Sequence, residues 1–183
     1  MKFQAQVLAA ALLLAYGTAH AQSVSVIPAH TDTTIGSAFQ LDIQATGFPD
    51  KIFGGGYNLA FDPTILKLDA ITFPSNWEFS TSTGLLDPAS GTVSDINFNT
   101  FAAPIKGDFL TATLKFTAIG AGTSAITLSD SGSFPFGNEL SAAVPVTFNG
   151  GTVTVAAVPE PGSVALVLGG LACVGWLARR RQA

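Results

Sequence analysis

Histidine and cysteine, the residues that most often carry acid–base, nucleophilic or metal chemistry, are scarce in this chain of 183 residues. The two histidines are His20 and His30, and the single cysteine is Cys173. A serine hydrolase needs a histidine held between its nucleophile and a carboxylate, whereas His30 lies close to the first predicted strand and is expected to be solvated. A zinc site needs several Cys or His ligands. We therefore predict neither a catalytic triad nor a zinc site.

Paired carboxylates are the second chemical possibility, because a glycosidase acts through two carboxyl groups that face each other across a cleft. Glu78 with Glu139, or Asp87 with Asp95, could be arranged in that way. Carboxylates on the strands and loops of an acidic domain are normally solvated. We predict that the protein is not an enzyme and that it has no catalytic residues.

Oxygen-rich segments could hold calcium, which prefers carboxylate, hydroxyl and carbonyl ligands. The candidates are the segment Asp130-Ser131-Gly132-Ser133 and the two residues Asp32 and Asp42. The ligand spacing of an EF-hand is missing from the sequence. We therefore predict no cofactor and no defined metal site, with calcium as the open alternative.

A sugar-binding site on a β domain would combine exposed aromatic rings with polar groups that hydrogen-bond the ligand. Trp77 is the best candidate, because Asn76 and Glu78 flank it. Tyr57 is the other candidate ring, but it is in phase with the apolar Leu59, and rings of this kind are more often part of a core. Trp77, Asn76 and Glu78 therefore form a candidate carbohydrate-binding group.

The elements that would position these residues are strands. The sequence of residues 22–156 is rich in Gly, Thr, Ser, Val, Ile and Phe, which favours strands and turns over helices. Residues 38–46 and 109–118 alternate between apolar and polar side chains, the pattern of half-buried strands. About nine such strands can be counted. We predict an all-β fold, an antiparallel two-sheet sandwich over residues 22–156.

Turn residues set several predicted boundaries within this domain. The segment 47–50, Gly-Phe-Pro-Asp, is predicted to end the strand that precedes it. Residues 76–82 predict a further strand with both of its aromatic side chains on one side. The Asn-Gly pair at 149–150 predicts a hairpin close to the end of the domain.

The charge of the domain excludes one class of partner. Residues 22–158 carry four lysines against nine aspartates and two glutamates, a formal charge of −7. Nucleic acids and anionic lipid surfaces are bound through basic footprints. We therefore predict no nucleic-acid partner. The only cysteine lies outside these residues, so the domain must be stabilised by burial without a disulfide.

The first 21 residues are predicted to be a secretory signal peptide. Lys2 precedes the apolar run 7–15, and Ala19 and Ala21 form an A-x-A cleavage site, so the mature chain is expected to begin at Gln22. A short N-terminal transmembrane helix is the alternative, but the apolar run is short for a bilayer.

Residues 157–183 combine a proline-rich motif, an apolar stretch and a basic end. Residues 162–178 lack charged side chains and predict a single transmembrane helix about 25 Å long at roughly 1.5 Å per residue, slightly less than the roughly 30 Å of a bilayer core. The three arginines that follow should remain cytoplasmic by the positive-inside rule. A buried core helix or a simple tail anchor is the alternative. The basic residues are Arg179, Arg180 and Arg181.

This order of motif, helix and basic end at the extreme C-terminus resembles the PEP-CTERM sorting signal. The resemblance covers residues 158–181 and implies that Pro159, Glu160 and Pro161 are recognised by an exosortase, a membrane transpeptidase of Gram-negative bacteria. It implies an inner-membrane precursor with a cytoplasmic C-terminus. The tail would then be removed, and the protein would reach the cell surface or the exopolysaccharide matrix.

A second resemblance covers most of the predicted domain. The strand at 56–61, followed by Asp62-Pro63 and a turn with Leu66, resembles the early part of cohesin domains; 108–128 and 151–155 resemble their later strands. Cohesins share a nine-stranded jelly-roll sandwich with family 2 and family 3 cellulose-binding modules, and their flat sheet face binds a dockerin. Residues 73–103 do not match the cohesin pattern.

These observations predict a non-catalytic, exported surface or matrix protein built around a cohesin-like binding module. The ligand is an unknown protein or polysaccharide. The alternative is a carbohydrate-binding module for exopolysaccharide or plant-type polysaccharide, in which Trp77 would be the principal contact.

Overall fold

The computed structural model describes residues 22–158, 162, 166–171 and 179–180. The predicted signal peptide with Ala19 and Ala21, the motif at 159–161 and Arg181 lie outside these residues. The described residues form twelve strands: β1 Ser23–Ile27, β2 His30–Thr34, β3 Ala38–Ala60, β4 Leu66–Thr72, β5 Ser80–Ser82, β6 Leu85–Asp87, β7 Thr92–Asn99, β8 Ile105–Ala118, β9 Gly122–Asp130, β10 Gly137–Asn138, β11 Thr147–Asn149 and β12 Gly151–Ala156.

The long strand β3 organises the fold. Its first half pairs with β1 and β8, and its second half pairs with β7 and β9. The predicted strand end at 47–50 is therefore wrong. Register shifts on either side of Phe48 absorb these residues as bulges, and Gly47 adopts a φ of 74° that favours glycine. Pro49 lies between paired positions, where its missing N–H breaks no ladder bond.

The strands form two layers that share β3. One layer contains β4, β8, β3, β1 and β11, and the other contains β5 and β6, β7, β3, β9, β12 and β2, with the short β10 beside β3. The all-β prediction is confirmed. The predicted sheet count is wrong, because β3 carries the hydrogen bonding from one layer into the other and all twelve strands form one sheet. The structure has twelve strands where about nine are predicted, because several short strands lie in segments that the sequence pattern assigns to turns and connections.

Not every pair of strands is antiparallel. The pairs β1–β11 and β2–β12 are parallel. The predicted hairpin at 149–150 is wrong, because the strands on either side of it do not pair with each other. β11 pairs with β1, whereas β12 lies between β9 and β2. The first and last segments of the domain each contribute one strand to each layer, so the two ends of the domain are interleaved.

The core lies between the two layers, and the predicted alternation accounts for much of it. Leu41, Ile43 and Ala45 of β3 are buried, as are the corresponding apolar residues of β8 from Ala112 onward. A register shift between Ile43 and Gln44 changes which side chains near the start of β8 face the core. Thr111 is therefore buried in place of Leu110. The Thr111 hydroxyl donates to Ile43 O at 2.8 Å and bonds the Tyr57 hydroxyl at 3.1 Å.

Candidate binding surface

The outer side of the second layer is broad, and the side chains of its central strands are mostly uncharged. Its charged groups lie at the edges, where Asp32 of β2 opposes Thr154 and Asp87 of β6 opposes Thr92, and at Asp95 of β7. Its central strands β12, β9, β3 and β7 place short polar or small side chains towards solvent, in register across the sheet: Asn58 opposes Ser129, and Ala60 opposes both Thr127 and Thr92. We call this surface the neutral face. It consists of Asn58, Ala60, Thr92, Asn97, Thr127, Ser129, Thr152 and Thr154.

A hydrogen-bonded bulge fixes the middle of the neutral face. Asp95 has a φ of 61°, which is uncommon for a residue other than glycine. Asn58 holds this conformation from the neighbouring strand, because its Oδ1 accepts from Asp95 N at 2.9 Å and its Nδ2 donates to Asp130 O at 2.7 Å. Ser131 donates to the Asp95 carboxylate at 2.7 Å. The two polar atoms of the Asn58 amide are thus committed to shaping the surface.

The opposite layer presents a different outer surface. Lys67 forms an ion pair with Asp69 at 3.1 Å, and Asp42 accepts a hydrogen bond from Thr113 at 2.6 Å. The exposed Lys115 adds a further charge. The two broad surfaces of the sandwich therefore differ in where their charges lie, and the central strands of the neutral face are less costly to remove from water than those of the other layer.

Trp77 is buried, with 3% of its surface exposed. Its ring packs on Phe98 and Phe109 at centroid distances of 4.5 and 5.6 Å, and its Nε1 donates to Leu110 O at 3.2 Å. Tyr57 is fully buried as well. Neither ring has a face free for a pyranose, so Trp77 fastens the unmatched segment 73–103 to the core.

Glu78 holds a loop in place. Its Oε1 accepts hydrogen bonds from Phe101 N and Ala102 N, each at 2.9 Å. These bonds, with a further one from Thr100, lower the pKa of Glu78 to about 2. The neighbouring Asn76 is half-buried. Glu78 therefore orders the loop that carries Phe101.

Two exposed aromatic side chains lie where Trp77 was expected. Phe79 and Phe101 are 67% and 75% exposed, and their ring centroids are 5.8 Å apart. The prediction that Phe79 shares a side with Trp77 is wrong, because β5 begins only at Ser80 and Trp77 lies in a turn. Phe79 lines a groove of about 350 Å³ with Phe134, Asn97 and other residues. The sequence signal for this pair was the Phe-rich composition alone.

The polar candidates for metal binding or catalysis meet only in pairs, His30 with Asp32 and Ser131 with Asp95. His30 Nε2 lies 3.1 Å from Asp32 and its Nδ1 lies 3.0 Å from the Thr152 hydroxyl. Asp130 accepts a hydrogen bond from Gly132 N. Within residues 22–158 and the other described positions, no three His, Cys, Asp or Glu side chains converge on one point.

The described part of the tail is helical at residues 162, 166–171 and 179–180. Arg179 and Arg180 are exposed there. Among the residues that the structure describes, no helix has the length and apolar character needed to cross a membrane.

A continuous sandwich with one broad neutral face is the architecture of a binding module. The sequence profile of the cohesin domain matches residues 24–155, and the chain belongs to this family. Residues 157–182 match the PEP-CTERM protein-sorting motif. A search of curated proteins by sequence finds no match.

Solved structures of cohesins share the fold. A non-cellulosomal cohesin from Archaeoglobus fulgidus is 14% identical, with a TM-score of 0.61 over 79% of this chain and 96% of that one. The third cohesin of ScaC from Acetivibrio cellulolyticus, in complex with the ScaB dockerin, is 21% identical, with a TM-score of 0.60 over 74% and 99%. The cohesin module of a Clostridium perfringens family 33 glycoside hydrolase is 12% identical, with a TM-score of 0.61 over 75% and 98%.

Proposed function

We propose that this protein is an exported, non-catalytic binding module that attaches another protein to the cell surface or extracellular matrix through its neutral face. The observation that carries the proposal is the neutral face itself, on a chain of the cohesin family. A partner can desolvate small uncharged side chains at lower cost than charged ones, and the hydrogen bond from Asp95 N to Asn58 Oδ1 holds the surface in one shape before binding. Pre-organisation of this kind reduces the entropic cost of association.

The partner class is inferred from the relatives. The ScaC cohesin was solved in complex with a dockerin, and we infer a protein ligand of comparable kind for this chain. The domain carries a formal charge of −7 over residues 22–158, so nucleic acid is not part of the proposal.

Affinity capture tests the binding face. The immobilised chain is exposed to the extracellular matrix of its source organism, and captured proteins are identified for three forms: unchanged, Thr127→Arg and Thr72→Arg. Thr127 lies on the neutral face, and Thr72 lies exposed on β4 in the other layer. We expect Thr127→Arg to lose the captured protein and Thr72→Arg to retain it. Equal capture by all three forms would contradict the assignment of the face.

The sorting motif leads to the second part of the proposal. We infer that an exosortase-type transpeptidase of a Gram-negative bacterium recognises Pro159, Glu160 and Pro161 while the precursor is anchored by 162–178, with Arg179, Arg180 and Arg181 on the cytoplasmic side. The match of residues 157–182 to the PEP-CTERM motif supports this. The same proposal includes export through a signal peptide, residues 1–21, which is cleaved after Ala21.

Replacement of both prolines tests the processing step. Pro159→Ala with Pro161→Ala should leave full-length precursor in the inner membrane, whereas Pro145→Ala, an exposed proline of the domain, should be processed normally. Membrane fractionation with an antibody against the domain reports the outcome. Normal processing of the double variant would remove the sorting assignment.

A polysaccharide ligand is the second candidate function, and one observation favours it. The exposed rings of Phe79 and Phe101 stand beside Asn99, whose amide makes no hydrogen bond within the described residues. Aromatic faces with free amides suit neutral sugars. Retention on exopolysaccharide should fall for Phe79→Ala with Phe101→Ala and remain for Leu140→Ala, an apolar residue that is even more exposed, at 85%. Retention that is unchanged in the double variant would exclude the groove.

A further inference from the structure

The last strand of the domain leaves the sandwich at one well-defined end. Ala156, the final residue of β12, accepts a hydrogen bond from Ile35 N at 3.1 Å. On the other side of the strand, Val155 pairs with Gly122 at the start of β9. The exit of the chain is thus enclosed between the turn after β2 and the turn before β9.

Two further contacts bring the remaining turns to this end. Gly36 N donates to Ala118 O at 2.8 Å, and Ile119 N donates to Ile65 O at 2.8 Å. We call this end of the molecule the exit pole. It consists of the turns 35–37, 62–65 and 119–122 around Ala156.

The exit pole is apolar for an exposed surface of an acidic domain. Ile35 and Ile119 are 37% and 47% exposed, and the turns 35–37 and 119–122 contain no charged residue. The one carboxylate in the pole, Asp62, accepts hydrogen bonds from Thr64 N at 2.8 Å and from the Thr64 hydroxyl at 2.6 Å. Its charge is therefore directed into its own turn.

The charged side chains around the pole are few. Asp87 binds Ala89 N and the Ser90 hydroxyl of its own turn at 3.0 and 2.8 Å. Lys67 lies at the start of β4 with its side chain 68% exposed. Lys67 is paired with Asp69 at 3.1 Å, and Asp69 also accepts a hydrogen bond from the Thr117 hydroxyl at 2.6 Å. This end therefore carries one lysine and three carboxylates, each of which is bonded to a neighbouring group.

The chain between the exit pole and the predicted anchor is short. Only Ala157 and Val158 separate Ala156 from Pro159, and the apolar stretch begins at Gly162. Six Cα steps span roughly 20 Å at full extension. A connection of this length keeps Ala156 close to the start of the apolar stretch.

We propose that the exit pole rests on the lipid head groups of the membrane that holds residues 162–178, with Ile35 and Ile119 in contact with the lipid interface. This proposal rests on the anchored precursor described under the proposed function. The contact adds an orientation of the domain to that proposed function. β12 stands roughly along the membrane normal, and the neutral face is open to a partner before the tail is removed.

Two matched alanines make the proposal testable. Ala121 lies in the exit pole, and Ala29 is exposed beside the start of β12, at the opposite end of that strand. In a Cys173→Ser background, Ala121→Cys and Ala29→Cys are each labelled with bimane. The exported precursor is reconstituted into phosphatidylcholine vesicles with and without head-group spin-labelled lipid. We expect fluorescence at Ala121 to be quenched by the spin-labelled lipid and fluorescence at Ala29 to be retained.

The possible failures are distinct from each other. A precursor that does not float with the vesicles would remove the anchor and, with it, the orientation. A precursor that floats but shows equal quenching at both positions, or none at Ala121, would overturn the orientation alone. Ile35→Ser with Ile119→Ser should float unchanged and lose most of the quenching at Ala121. Full quenching in that double variant would show that the isoleucines do not make the contact.

Discussion

The hydroxyl of Thr31 is buried on the inner side of β2 and makes no hydrogen bond within the described residues. Replacement by the isosteric valine should raise the free energy of unfolding by about 1 kcal/mol, because an unpaired buried hydroxyl is costly. Urea unfolding measures the change.

Thr111 is the matched control for this prediction, since its hydroxyl bonds Ile43 O and the Tyr57 hydroxyl. Thr111→Val should lower the free energy of unfolding by about 1–3 kcal/mol, because two buried partners lose a bond. Stability changes of the same sign in both variants would contradict the assignment of the unpaired group.

Glu78 should contribute to the acid sensitivity of the domain. Its pKa falls from the ordinary 4.5 to about 2 because backbone amides of Ala102 and Phe101 bind the carboxylate. A lowered pKa in the folded state stabilises the protein above pH 4.5, and this contribution is lost as the pH falls towards 2.

Thermal melts of the unchanged chain and Glu78→Gln should therefore converge between pH 4.5 and 2 and differ above pH 4.5. Glu139→Gln is the control, since Glu139 forms only an exposed ion pair with Lys51. A difference between the unchanged chain and Glu78→Gln that is independent of pH would show that the loss of the carboxylate acts by some other route.

Among the elements, β3 depends on close approach at its second half. An added Cβ at Gly55 would meet the ring of Phe136 at 2.6 Å, and that ring is buried against Phe48 and Phe98. Gly55→Ala should therefore cost about 1–3 kcal/mol through overpacking. Gly137→Ala, with nothing within 4 Å of its added Cβ, should change the melting temperature little, and an equal loss in both would contradict the packing argument.

Strand β3 shows which features of the fold a sequence pattern predicts and which it does not. Alternation locates the inward residues of β3 between Leu41 and Ala45, because a period of two follows directly from strand geometry. It does not show that the strand continues through Pro49, since a bulge can absorb turn residues once partners on both sides continue. The positions of Trp77 and Phe79 escape prediction for a related reason: Trp77 ends a turn and Phe79 lies just before β5, so neither belongs to a strand whose alternation would assign its side.

The candidate surface was only partly accessible from sequence. The resemblance to cohesins predicts a flat sheet face, but the neutral face is assembled from four strands between residues 58 and 154 that are distant in sequence. Which polar residues share it depends on the pairing partners of β9 and β12, and periodicity carries no information about partners.

On the scale of the whole molecule, the shared strand should make unfolding cooperative. Neither layer is complete without β3, so we expect the domain to unfold in one transition. Trp77 is the only tryptophan between residues 22 and 158 and reports on the core. Its fluorescence and the far-ultraviolet circular dichroism should therefore give the same denaturant midpoint. Separate midpoints would indicate that the layers unfold independently.

Interleaving of the chain ends has a mechanical consequence. β12 lies between β9 and β2, and its hydrogen bonds to both run across its length. A pull on the C-terminal attachment point, such as drag from a captured partner in flowing medium, acts along β12. It would load the bonds on both sides in shear and all at once, so the strand that bears the load would resist extraction instead of unzipping.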